Sequence, residues 1–396
     1  MRPLEGLRVL DLTRLVAGGM TGMLLADFGA EVVKVERPNV GDPLRKWTNE
    51  GRPFWWKVYG RNKKYITLNI TAPEGKAMFK EMLPTFDVLL ESFVPGTMER
   101  WDLGWDVLHA LHPKLIWLRI SGWGQTGPGS KRPGFGTLVE ASTGMAAMTG
   151  EADGPPILPS FPIGDMVSGL YASNAIMFAL YHRHMHDGDG QIIDVSLFES
   201  LFSLLGPLPA EYAATGKVRL RQGSRSKNSG PRGAYQSSDG EWIAVSGSTP
   251  KMAITFLTSY GLGHLLDDAR FATNEARVRH AVELDAAVQT AIGKLTLSEN
   301  LDRINENKLT AIHIQTIADI ERDPHWQARK LMVDIADDDG GDGVVRMHNV
   351  VPHMSGTPGE IRWSGGHFEA HTDEFYTQQF DLSAEQIKAL RKGGVI

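Results

Sequence analysis

The sequence predicts an open, doubly wound α/β sheet in a large N-terminal domain, joined to a smaller α+β domain. Three observations carry that prediction. Short apolar runs alternate with helical segments through residues 7–121, the pattern of a parallel sheet with crossover helices. At 396 residues the chain is longer than a single core usually supports. Finally, the character of the sequence changes over 200–235, where "GKVRLRQGSRSKNSGPRG" is polar, Gly-rich and basic.

Each element follows from its residues. "LRVLDL" (7–12) reads as a short buried strand, "GGMTGMLLADFGA" (18–30) as a helix ending near Gly29, and "EVVKVE" (31–36) as a second strand. That is a strand–helix–strand unit with a right-handed crossover. "KKYITLNI" (63–70) is the next strand. It leads into "TAPEGKAMFKEML", where Thr71 and Glu74 have capping-box spacing and Pro73 sits in the first turn. "FDVLLESF" (86–93) and "KLIWLRIS" (114–121) are two further strands, separated by a short helix around 105–111. In the second half, Asp239-Gly240 between two β-type runs signals a hairpin, helical patterns fill 250–325, and "DDDGGDGVV" (337–345) marks a loop. At the end, Ser383 and Gln386 form a capping box, Leu382 and Ile387 a hydrophobic staple, and Gly393 stops the helix.

Composition excludes several classes of function. Hydrophobic residues at 42% and charged residues at 22% are ordinary for a globular protein. A net charge of −6 argues against a general nucleic-acid binder but permits one anionic ligand in a local basic patch. With no cysteine there is no disulfide, thiol nucleophile or thiolate metal site. "MRPLEGLRVLDL" has no leader-like apolar region, and no apolar run is expected to approach membrane-spanning length, so a cytoplasmic protein without membrane contact is the expectation.

Several residues stand out as candidates. Asp165 in "IGDMVSGLYA" is a lone carboxylate at the mouth of an apolar helical run, either a helix N-cap or a catalytic group presented by a helix terminus. The turn "TRLVAGGMTG" could place backbone N–H groups on an anion, but it lacks G-x-G-x-x-G spacing. Where dinucleotide folds put an acid for the ribose, Glu36 is followed at once by Arg37, which suits a phosphate as well as it suits an ordinary surface. "YGRNKKY" and Arg100 add positive charge along the same half. His182, His184 and His186 do not share one helix face, and a polar helix C-terminus explains them better than a metal site.

Taken in order, these segments resemble the class III (CaiB/BaiF) CoA-transferase family over essentially the whole chain. The anchors are "LEGLRVLDLTRLVAGGMTGMLLADFGAEVVKVERP", "GDPLR", "RNKKYITLNITAPEG", "ESFVPGTMERWDLG", "SGWGQTGPGSKRPGFGTLVEASTG", "IGDMVSGLYA", "DGDGQIIDVSLFES" and the ending from "HTDEFY" to "LSAEQIKALRKGGVI". The resemblance implies a nucleophile at Asp165 that attacks an acyl-CoA thioester and carries CoA to a small acid through aspartyl anhydride and thioester intermediates. It also implies that Val16 and Ala17 line the pantetheine path, that Arg37 and Arg100 face the adenosine phosphates, and that Leu68, Ser92 and Phe93 surround the adenine. Coenzyme A and its esters would be substrates, with no permanently bound cofactor and no metal. The implied architecture is a Rossmann-like large domain (1–200, completed by 351–396), a small domain (226–325), linkers at 201–225 and 326–350, and an interlocked homodimer.

Three departures narrow the expected chemistry. Val16 stands where formyl-CoA transferases carry Gln, "SGST" (246–249) replaces a run of glycines, and Gly136 stands where many relatives have Asp. Succinate-like dicarboxylates or branched relatives are therefore the expected acyl partners. An α-methylacyl-CoA racemase would need a His where "RPGFGTLVEA" has none. A non-catalytic CoA-binding protein is disfavoured by Asp165, and a nicotinamide dehydrogenase by Arg37 and the missing glycine fingerprint.

Overall fold

The computed structural model describes residues 2–337 and 343–396. The chain divides into two compact units, one built from Met1–Met145, Pro159–Pro209 and Ala328–Ile396, the other from Ala146–Leu158 and Ala210–Gln327.

The first unit is organised by six strands: β1 (Arg8–Asp11), β2 (Glu31–Glu36), β3 (Lys64–Thr67), β4 (Val88–Glu91), β5 (Ile116–Ser121) and β6 (Ile192–Ser196). All pair in parallel, in the order β3-β2-β1-β4-β5-β6. This order reverses direction between β1 and β4, so the loops after those strands diverge and leave a crevice at their carboxyl ends. The strands are short and apolar because both faces are covered: Leu10, Val33, Ile66, Leu89 and Trp117 pack into one core, and Val9, Val32, Leu90, Ile116 and Leu118 into the other. β6 escapes a reading by apolar runs, because "IIDVS" lies at the sheet edge with Ile192 and Asp194 exposed and only Val195 and Ser196 buried.

The C-terminal segment closes the opposite edge. His371 N–H donates to Tyr65 O, Tyr376 Oη to Thr67 O, and Asn69 N–H to Val395 O, so β3 is not left as an open edge. Its last helix, Ala384–Lys392, carries the expected Ser383–Gln386 capping box. The capping box at Thr71 does not form. Thr71 hydrogen-bonds Asn69 Oδ1 at 2.7 Å, and the helix Pro73–Met82 begins after Ala72 with no side-chain cap.

The second unit contains an antiparallel sheet of β7 (Arg232–Gln236), β8 (Trp242–Ser246) and β9 (Ala311–His313). Helices pack on it around Tyr235, Ile243, Phe256, Leu284 and Val288. Gly240, at φ 89°, makes the turn between β7 and β8 as the Asp-Gly pair predicts. Open chain begins later than 201: residues up to Ser203 complete a helix and Leu208–Thr215 form another. Residues 326–350 are not a plain linker either, since β10 (Met332–Ala336) pairs antiparallel with β11 (Val344–His348). The loop expected at 337–345 falls largely on 338–342, outside the described residues.

One expectation is overturned outright. The helix Ile163–His186, at 24 residues, is long and apolar enough by length and composition to cross a membrane. Its buried small residues Ser168, Gly169 and Ala172 let it lie close against the helix Leu15–Asp27.

The carboxyl ends of β1 and β2 are held by buried charge. Asp11, Lys34, Asp42 and Lys63 are each at most 3% exposed. Lys34 Nζ lies 3.0 Å from Asp42 Oδ2 and 3.7 Å from Asp11 Oδ1, and it also donates to Thr13 O. Lys63 Nζ completes the Asp11 carboxylate at 3.0 Å. Burial alone would strip Lys34 of its proton, but Asp11, Asp42 and Glu36 outweigh it and hold the ammonium above its ordinary pKa. Removing one member strands an opposite charge in the interior, which costs about 3–5 kcal/mol. We predict that Lys34→Met lowers unfolding free energy by roughly that amount in urea titrations. A loss below about 1 kcal/mol, the scale of an exposed pair, would show that the network is not structural.

Candidate active site

Two adjoining cavities run along the carboxyl ends of the sheet. The first, of about 330 Å³, is lined by residues following β1 to β4, including Arg37, Leu68, Phe93, Thr97 and Trp101. The second, of about 1020 Å³, is lined by Val16, Ala17, Trp55, Ser92, Phe93, Arg132, Glu140 and Asp165 among others. Arg14, Phe93 and Val94 line both, so the two spaces meet at the β1/β4 switch point.

Their meeting point is tightly specified. Arg14 N–H donates to Ser92 Oγ at 2.9 Å, tying the loop after β1 to the loop after β4. Phe93 N–H donates to the buried Glu91 carboxylate at 2.6 Å, and the Phe93 ring packs edge-on against Trp101. Leu15, the next residue, has φ 64°, a left-handed conformation costing a β-carbon residue roughly 1–2 kcal/mol. Asp42 Oδ1 holds it there by accepting from Leu15 N–H at 3.1 Å and from Leu44 N–H at 2.9 Å. This fixes the start of the helix Leu15–Asp27 and aims the amide of Ala17 into the second cavity.

Asp165 is not the N-cap of its helix. That position falls on Pro162, which offers no side-chain acceptor, and Asp165 is the third helical residue. The first-turn amides find other partners: Ile163 N–H donates to Phe161 O at 2.8 Å, Gly164 N–H to Glu140 Oε1 at 3.1 Å, and Met166 N–H to Pro162 O at 3.1 Å. Capping is thus carried by Glu140, which is 2% exposed on the neighbouring helix Gly136–Ser142. The Asp165 carboxylate is left to face the cavity, with hydrogen bonds from the backbone of Ala17 and of Asp165 itself.

Two helix N-termini therefore converge on one carboxylate, an arrangement that stabilises negative charge. Burial opposes it first, and the nearby Glu140 charge second. Together they push the Asp165 carboxyl up to about 6 despite the backbone hydrogen bonds. Burial also raises the Tyr59 hydroxyl, with the Asp165 charge adding to the effect. A carboxylate poised this way is ionised at neutral pH yet more basic than a solvated one, and suits nucleophilic attack on a carbonyl.

The sequence-predicted residues separate by position. Val16, Ala17, Ser92 and Phe93 share the cavity of Asp165, while Arg37, Leu68 and Phe93 line the first cavity. Ser92 lines the second cavity rather than the first, and its hydroxyl accepts from Arg14 N–H. Arg100 lines neither cavity, but it donates to Thr97 Oγ1 at 2.7 Å, one residue removed from the first. Glu36 is not free to bind a ribose, because Arg45 and the Asp42 amide occupy both its oxygens. The histidines 182, 184 and 186 end their helix, and no metal-binding cluster occurs among the described residues. No histidine among the described residues lines the Asp165 cavity.

Sequence reading missed Glu140, Arg14 and the pair Lys131 and Arg132, all of which line that cavity. Glu140 had a signal: it is a lone acid beside Val139 on the buried side of "GTLVEAS", with no cation near it in sequence.

The geometry agrees with what the chain resembles. The family model for CoA-transferase family III matches residues 4–372. The chain is 39% identical over 398 residues to succinyl-CoA–D-citramalate CoA-transferase of Chloroflexus aurantiacus, covering 100% of this chain and 98% of that protein. It is 34% identical over 350 residues to succinate–glutarate CoA-transferase of Agrobacterium fabrum, covering 85% and 86%. A solved CaiB/BaiF family protein from Brucella suis has a TM-score of 0.84 at 29% identity, over 96% of this chain and 99% of that one. The chain belongs to CoA-transferase family III, and it is an enzyme of that class.

Proposed function

We propose that this enzyme moves CoA from a succinyl-CoA-like donor to a small carboxylic or dicarboxylic acid through covalent intermediates on Asp165. The observation that carries the reading is the Asp165 carboxylate itself, buried at two helix N-termini in a cavity continuous with the crevice at the sheet's switch point. The named relatives use succinyl-CoA or succinate, and this supports a dicarboxylate donor.

In the first step an Asp165 oxygen attacks the thioester carbonyl carbon, the carbon–sulfur bond breaks, and CoA leaves as the thiolate, producing a mixed anhydride. The thiolate then attacks the aspartyl carbonyl carbon and expels the donor acid as a carboxylate. The acceptor carboxylate repeats the sequence in reverse, so the energy of the thioester is kept throughout. The Ala17 and Asp165 amides, already aimed at the carboxylate, would meet oxyanions developing at the same carbon. CoA would lie with its adenosine phosphates toward Arg37 and Arg100, its adenine near Leu68 and Phe93, and its pantetheine past Val16 and Ala17.

A homodimer is part of the same reading. Along the helix Ile163–His186, Leu170, Met177, Phe178, Tyr181 and Met185 are exposed at helical spacing, an apolar stripe that a second copy would cover.

Several measurements on Asp165 test these statements. Asp165→Asn should fold and lose transfer almost completely, and wild-type enzyme treated with acyl-CoA and then hydroxylamine should be modified at Asp165. Wild-type kcat/KM should fall as pH drops through about 6, where the carboxylate takes up its proton. The folded pKa lies above the unfolded value of 3.8, so ionised Asp165 costs stability at neutral pH and the cost disappears as pH falls. Asp165→Asn should therefore be more stable than wild type at pH 7.5, by on the order of 1–3 kcal/mol. An active Asn variant, or a label on another residue, would refute the nucleophile.

Arg37→Ala and Arg100→Ala should weaken CoA binding by roughly 1–3 kcal/mol and raise KM for CoA esters more than they lower kcat. Unchanged CoA affinity removes either residue from the site. In sedimentation the protein should run at twice its chain mass of 43.6 kDa; a stable compact monomer on dilution rejects the dimer.

A further inference from the structure

The unexplained feature of the site is a second buried carboxylate beside the first. Glu140 makes no ion pair among the described residues and spends Oε1 on the Gly164 amide. Gly136, one helical turn earlier, faces both acids. A methyl group built on it would overlap Asp165 Oδ2 and lie 3.8 Å from Glu140 Oε1, so a side chain there would force the Asp165 carboxylate to move.

We propose that Glu140 is a positioning residue for the transfer reaction, holding the long helix's N-terminus in place of Asp165 and setting a fixed negative charge beside it. The proposal rests on Asp165 being the nucleophile. When Asp165 attacks the thioester, its own charge is lost into the neutral anhydride and departs on the CoA thiolate. Repulsion from Glu140 is present before that step and absent after it, so the neighbouring charge favours acylation of Asp165 over its free carboxylate. The capping bond keeps that charge at a constant position, because both of its ends lie on rigid helices.

Other groups face Asp165, and each pulls differently. Tyr59, from the helix Phe54–Tyr59, is neutral at working pH. Arg14, Lys131 and Arg132 line the same cavity, but none of them is among the causes of the Asp165 shift. Among the described residues, Glu140 is the one neighbouring charge that raises it.

The test uses Glu140→Gln, whose amide oxygen can still accept from Gly164 while the charge is gone, alongside Glu140→Asp, which keeps the charge. For the Gln variant we expect the acidic limb of kcat/KM to move down by about one pH unit. Single-turnover acylation above pH 7 should slow on the order of tenfold, the factor equivalent to one pKa unit, with KM for CoA esters little changed. The covalent label should still land on Asp165, and the Asp variant should recover the wild-type limb. A Gln variant with an unmoved limb and wild-type acylation rate overturns the proposal even if the label lands on Asp165. An active Asp165→Asn instead overturns the nucleophile reading. Should the Gln variant fail to fold, carboxyl titration of wild-type enzyme carrying ¹³C-labelled aspartate and glutamate decides the matter: two coupled steps support the pairing, and two independent ordinary ones reject it.

Discussion

The ammonium of Lys34 is the interaction on which the rest of the site depends. A lysine buried in an all-parallel sheet has no water to neutralise it, so its charge must be matched by Asp11 at the end of β1 and Asp42 in the loop after β2. Asp42 in turn holds Leu15 in a backbone conformation it would not otherwise keep. Leu15 starts the helix whose third residue, Ala17, hydrogen-bonds Asp165. A chain of three polar contacts thus runs from inside the sheet to the carboxylate. The strain at Leu15 persists because the surroundings over-determine it.

That arrangement also accounts for a stability conflict at the centre of the molecule. The sheet and its two apolar cores provide the surplus in which an ionised, partly desolvated Asp165 can be tolerated. Glu140 adds to the strain electrostatically while relieving it mechanically, since it takes the helix cap that Asp165 would otherwise fill. The motif "GD" at the head of a long helix resembles a simple cap in sequence. Its third-residue placement and the foreign cap separate the two roles.

Much of the sheet could be read directly. β2 spans the run "EVVKVE" residue for residue, and the helix Trp105–Leu111 falls where its apolar spacing puts it. Periodicity reports local burial, and these elements are buried on the faces it assumes. What escaped reading depended on contacts and exposure that periodicity does not report. β6 is half exposed at an edge, Thr71 was diverted by Asn69, and Glu140 acquires its role only by meeting Gly164 across 24 positions. Asp165 stood out from its own surroundings in the sequence, Val16, Ala17, Ser92 and Phe93 came through resemblance, and all five line one cavity. Arg100 stands just outside the first cavity, whose wall is formed by its hydrogen-bond partner Thr97.

The hydrogen bond from Asn69 to Val395 has a consequence for how the molecule is made. β3 lies early in the chain, yet the backbone that covers its edge arrives more than three hundred residues later. During synthesis the growing sheet presents an unshielded strand through most of translation, and closing it means ordering a very long loop. Chaperones that recognise bare strand edges would therefore act on the nascent chain well before Asp165 can be set in its final surroundings.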